Sequence, residues 1–129
     1  MVAHGTIAFD TLTTSDQVNT GTEKSLDTSY IFNGVAKAWA KFNGSSFSTA
    51  GDDTFNITSL TDDGTGDFTI TIANDFSSIN FVQLSSGNEF NTINDNANTA
   101  GTMQFGSYND SHSRSDTARN FVVGIGDLA

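Results

Sequence analysis

The sequence predicts an all-β protein: a single antiparallel β-sandwich or jelly-roll-like domain over residues 29–129, preceded by an N-terminal strand and extended arm over residues 1–28. Three observations lead to this class. Residues 54–60 and 68–72 alternate polar and apolar side chains with the period of a strand, and an Asp-Gly-containing loop joins them. The 129 residues include 12 Gly and no Pro, so turns fall to Gly, Asn, Asp and Ser. Phe, a bulky strand former, occurs 11 times, which speaks against a disordered chain.

Taken in order, residues 5–13 read as a short first strand with Ile7 and Phe9 on one face, and residues 12–28 as a polar, turn-rich arm. Residues 30–42 are the densest apolar stretch, and Asn33-Gly34 is a turn signal within it. Beyond it, Ala36, Ala38, Ala40 and Phe42 share one parity and Lys37, Trp39 and Lys41 the other. A strand is favoured because only about eight residues separate two Asn-Gly turns; a helix is the rival, since Ala and Lys are good helix formers. Residues 54–60 then place Phe55, Ile57 and Ser59 on one side. A turn cluster follows over 61–67, and Phe68, Ile70 and Ile72 line the second strand of the hairpin. Phe76, Ile79, Phe81, Val82 and Leu84 suggest a further strand. Residues 85–100 are polar, with Phe90 and Ile93 as candidate anchors. Met103 with Phe105, and Phe121 to Ile125, complete about six to eight strands, and residues 106–118 read as a polar loop. No linker divides the domain and no internal repeat is visible.

A formal charge of −10, from 15 acidic and 5 basic residues, disfavours binding to nucleic acid or to an anionic membrane surface, both of which attract Lys and Arg. The chain has no Cys, which removes disulfides and thiolate metal sites. Residues 1–10 carry no basic segment and no long apolar run, so no signal peptide is expected. Synthesis and assembly in a cytoplasm fit this composition.

The residues that invite chemistry each have a plainer reading. Asp62, Asp63 and Asp67 surround two glycines and form a candidate cation loop, but the spacing is not that of an EF-hand and no closing Glu follows. They read as a solvated turn, as do Asp52 and Asp53, and no metal or other cofactor is expected. His4 and His112 are the two histidines; His112 sits between Ser111 and Ser113 without a nucleophile elbow, so no catalytic residue is assigned and no enzyme is expected. Arg114 and Arg119, with Asp110 and Asp116 nearby, read as surface or intersubunit ion pairs. Asn43, Asn56 and Asn109 each open a glycosylation-like triplet of the kind that arises by chance in so polar a chain. Ala36, Ala38, Ala40 and Phe42 are candidates for packing in the core or between subunits. Trp39 is a candidate for the same role or, with Lys37 and Lys41, for stacking a carbohydrate.

Residues 33–72 carry a further signal. Asn33-Gly-Val-Ala-Lys-Ala-Trp-Ala-Lys-Phe-Asn-Gly44 followed by Thr54-Phe-Asn-Ile-Thr-Ser-Leu-Thr-Asp-Asp-Gly-Thr-Gly-Asp-Phe-Thr-Ile-Thr-Ile72 resembles a module of tailed-phage virion proteins, especially the fibre-like proteins of marine and cyanobacterial phages. Gly5 to Leu12 is similar to the start of such proteins. Asp63 and Phe68 stand where that pattern has Asn and Tyr. The resemblance spans about 40 residues. It implies a β-rich, oligomeric virion protein, commonly trimeric, with no catalytic residues to carry over. The expected role is a capsid-decorating or cement protein with the major capsid protein as partner; the alternative is a tail fibre, tail-tip or adaptor protein that binds host surface glycan.

Overall fold

The structure, a computed structural model, describes residues 11–14, 24–46, 53–93 and 97–129; for 11–14 and 24–28 it describes the backbone alone. Most of the strand read over residues 5–13, Ile7 and Phe9 included, lies outside these residues, as do His4 and Asp52. What is described of the arm is a hairpin, β1 (Thr11–Thr14) paired antiparallel with β2 (Lys24–Asp27). A short helix, α1 (Thr28–Gly34), follows it directly. Asn33-Gly34, read as a turn signal, closes this helix: the Asn33 amide donates back to Ser29 O at 3.0 Å.

The remaining strands are β3 (Ala36–Phe42), β4 (Asp53–Phe55), β5 (Ile57–Gly64), β6 (Asp67–Ile72), β7 (Val82–Gly87), β8 (Phe90–Ile93), β9 (Thr102–Tyr108) and β10 (Asn120–Ile125). They form two antiparallel four-stranded sheets, a front sheet in the order β4-β3-β10-β7 and a back sheet in the order β5-β6-β9-β8. The chain is thus an all-β sandwich. Residues 36–42 are a strand and not a helix.

Two asparagines hold the places where the chain passes from the front sheet to the back sheet. Asn56 separates β4 from β5 at a φ of 57°, a left-handed conformation that Asn tolerates better than most residues. Its amide clasps Asn74, accepting from Asn74 N at 2.8 Å and donating to Asn74 O at 3.1 Å. The single strand expected over 54–60 is therefore two strands in different sheets, and Phe55 and Ile57 do not share a face. Asn88 makes the second passage, between β7 and β8; its Oδ1 accepts from Arg119 N at 3.0 Å. The turn expected over 61–67 is shorter than the sequence suggests. β5 runs through Gly64 and only two residues, Thr65 and Gly66, link it to β6. Gly66 has a φ of 65°, and a Cβ there would strike the backbone of Ser107 and Ser115.

The core lies between the sheets. The back sheet supplies large side chains, Phe68, Ile70, Ile72, Met103 and Phe105, with Leu60 at its edge strand. The front sheet supplies mostly small ones, Ala38, Ala40, Val122 and Gly124, with Phe42 at the end of the row. Phe42, Phe68 and Phe105 meet at centroid distances of 5.4–5.5 Å, two of the three contacts edge-on. Gly124 has no room for a side chain, because a Cβ would come 2.8 Å from the Phe76 ring. The alanine parity thus packs closely against a neighbouring sheet, and that sheet is the chain's own; Ala38 and Ala40 are buried there and Ala36 is half-buried beside them.

Two polar clusters cross the core. Asn120, fully buried, donates to Thr117 O at 2.9 Å and accepts from Thr117 Oγ1 at 2.8 Å. Gln83, inward from β7, donates to Gln104 O at 3.1 Å and accepts from Asn98 at 2.8 Å, tying the front sheet to the back. The amides of Asn120 and Gln83 are thereby satisfied, as buried polar groups usually are; Asn91, which donates to Asn120 Oδ1 at 3.2 Å, keeps its own buried Oδ1 without a partner among the described residues.

Candidate interaction surface

Strand alternation fixes what each sheet shows to the outside. On the back sheet, the outer face is polar in the rows Thr61–Thr69–Gln104 and Ser59–Thr71–Thr102 and largely so in Asp67–Gly106–Thr92; the aromatic exception is the edge pair Phe90–Tyr108. This is the usual arrangement for an antiparallel sheet, apolar inside and polar outside.

The front sheet departs from it. Its outer face carries the row Phe55–Trp39–Val123–Leu84 across all four strands. Beside that row, Phe121 lies between Lys41 and Ser86, and Ile125 pairs with Val82. Trp39 and Phe55 stack across β3 and β4, with centroids 6.5 Å apart and planes within 19°. The charges on this face are Lys37, Lys41 and Asp53. Lys41 and Asp53 are directly paired positions, and Lys37 Nζ donates to Ile31 O at 2.8 Å, satisfying a carbonyl of α1. Beside Phe55 a groove of about 500 Å³ runs between Lys37, Asn74 and Leu128.

For Trp39 the sequence leaves a core, a subunit-interface and a carbohydrate-stacking role open. Trp39 is on the outer face and half-exposed, not in the core, because the inward parity of β3 belongs to the alanines. Val82 and Leu84 point outward and Gln83 inward, so β7 is turned over relative to a strand that buries its apolar residues. Phe90 and Ile93, expected as anchors, are also exposed; Phe90 stacks on the ring of His112 at 4.9 Å.

The candidate cation loop is engaged internally. Asp62 accepts from Gly64 N at 2.9 Å, Asp63 accepts from Thr69 Oγ1 at 2.5 Å, and Asp67 pairs with Arg114 at 3.1 Å. Among the described residues no three His, Cys, Asp or Glu side chains come together as a group that would hold a metal ion. Arg114 therefore reaches Asp67 and the carbonyl of Gly66, not Asp110 or Asp116, and lies over the Tyr108 ring. Asp116 instead accepts from Gly66 N at 2.6 Å, which pins the 109–118 loop to the β5–β6 turn. Asn43 and Asn109 hold turns through their own amide oxygens, accepting from Ser45 N and from Ser111 N and Ser113 N. No described helix is long and apolar enough to cross a membrane.

No family model, no curated protein and no solved structure matches the chain.

Proposed function

We propose that this chain is a non-enzymatic structural protein of a tailed-phage virion, made in the host cytoplasm, that decorates or cements the capsid and contacts the major capsid protein in an oligomeric arrangement. One observation supports an assembly role: the front sheet exposes an apolar face across its full width, Phe55, Trp39, Val123 and Leu84, where the back sheet exposes threonines. Apolar surface held in contact with water is costly, and its burial on a neighbouring subunit contributes about 25 cal/mol per Å² before entropy losses. The virion setting rests on the resemblance of residues 33–72.

A second reading has its own support. The exposed Trp39–Phe55 pair beside a groove is a surface on which a sugar ring stacks, as a tail-tip or fibre module binding host glycan requires.

A cryo-EM map of purified particles tests both. Density for this chain on the capsid lattice is the expected result. Density on the tail alone moves the protein to the second reading, and absence from purified particles overturns the virion assignment.

A further inference from the structure

We infer that the front-sheet face is covered by a second copy of this chain, packed face to face about a two-fold axis. The inference rests on the assembly reading above and names the neighbour.

Area is the first argument. Phe55 and Leu84 are each 54% exposed, Val82 56%, and Trp39 and Phe121 37%. With full areas of about 150–250 Å² for side chains of this size, these fractions leave roughly 400–500 Å² of apolar surface open on one face. A stable pair of proteins buries about 800 Å² on each partner, a little over half of it non-polar. One copy of the face supplies that apolar share, and a second copy supplies the same on the other side.

Charge is the second. The chain carries −10, so most ways of bringing two copies together are repulsive. The charged residues on this face are Lys41, Asp53 and Lys37, and Lys37 is already turned onto a carbonyl of α1. The face carries none of the chain's acidic excess. Two lysines against one aspartate leave the face close to neutral, so two copies meet there with little like-charge repulsion, whereas a strongly basic or acidic partner finds little to pair with.

The third argument is in β10. Its run Phe121-Val-Val-Gly-Ile125 is apolar at consecutive positions, the pattern of a strand covered on both faces. One cover is the chain's own back sheet, reached through Val122 and Gly124. Phe121, Val123 and Ile125 point to the other. A face applied to its own copy is isologous, needs no second surface and closes at two subunits.

Sedimentation equilibrium of the purified full chain tests the inference. The expected mass is twice that of the 13.7 kDa chain. Leu84→Lys and Val123→Lys, both at outward positions, should weaken the pairing by at least about tenfold, while Thr69→Lys on the back face should not. Because the chain lacks Cys, Val123→Cys gives a single reactive site; oxidation should yield a covalent dimer, and the same experiment with Thr69→Cys should not. A monomer, a mass of three chains, or a dimer that Leu84→Lys leaves intact overturns the two-fold pairing. A chain that is monomeric in solution yet present in particles defeats this inference and spares the virion reading; a dimer absent from particles does the reverse.

Discussion

The two sheets have opposite outer faces although they share one core. The back sheet has Thr61, Thr69, Gln104, Thr71 and Thr102 outside and Phe68, Ile70, Met103 and Phe105 inside, so away from the Phe90–Tyr108 edge its strands carry one apolar face each. The front sheet has Trp39, Phe55, Val123 and Leu84 outside and Ala38, Ala40 and Val122 inside. The difference follows from volume. Three phenylalanines and a methionine from the back sheet and the loop after it fill the space between the layers, and a close-packed interior leaves room for only small groups opposite. Apart from Phe42 at the end of the row, the large residues of the front sheet then have one place to go, outward. An apolar outer face is therefore tied to an alanine-lined inner face, and both are written into the same strand.

The most severe way to break the comparison is to remove what both sheets share. Phe105→Ala empties the centre of the Phe42–Phe68–Phe105 cluster, and a loss of about 3–5 kcal/mol in urea-induced unfolding is expected. Next in size is the corner that keeps the sheets apart. Asn56→Ala loses the clasp on Asn74 and puts a less tolerant residue at positive φ, for an expected loss of about 1–3 kcal/mol. Asn56→Gly keeps the conformation and loses only the hydrogen bonds, so it should cost less; an equal cost would show that the clasp alone matters.

The contrast between the outer faces is sharpened by exchanging them. Leu84→Thr should leave the stability of the isolated subunit within about 0.5 kcal/mol, since the side chain is exposed, yet reduce incorporation into particles measured by immunoblot. Thr71→Val on the back face should alter neither. Unchanged incorporation of Leu84→Thr would remove the front face as the contact. Arg114→Ala removes an exposed ion pair to Asp67 together with a bond to Gly66 O, and a shift under about 1 kcal/mol is expected. The smallest effect concerns the acidic loop. Calcium should produce no change in melting temperature, because Asp62, Asp63 and Asp67 are already committed to Gly64 N, Thr69 Oγ1 and Arg114; a calcium-dependent rise would restore it as a cation site.

What the sequence determined by itself was local. Alternation over 68–72 announced β6, the Asp63-Gly64 pair announced the β5–β6 reversal, and the abundance of Phe without Pro announced an all-β class, because these signals depend only on the pleat and on which residues make turns. The parity of β3 was also legible, alanines on one side and Trp39 with its lysines on the other. Which side is the inside was not. That choice depends on how much volume the opposite sheet brings, and Phe68, Phe76 and Phe105 lie 26 to 69 residues away from Ala36–Phe42 in the chain. The break at Asn56 escaped notice for a related reason: an Asn fits a polar position of an alternating strand, and only its clasp on Asn74, eighteen residues on, turns it into a corner. Gln83 and Asn120 read as surface amides until the fold brings Gln104 and Thr117 to them. The apolar outer face of the front sheet is the sum of such decisions, since Phe55, Trp39, Val123 and Leu84 are brought into one row only by the pairing of four strands.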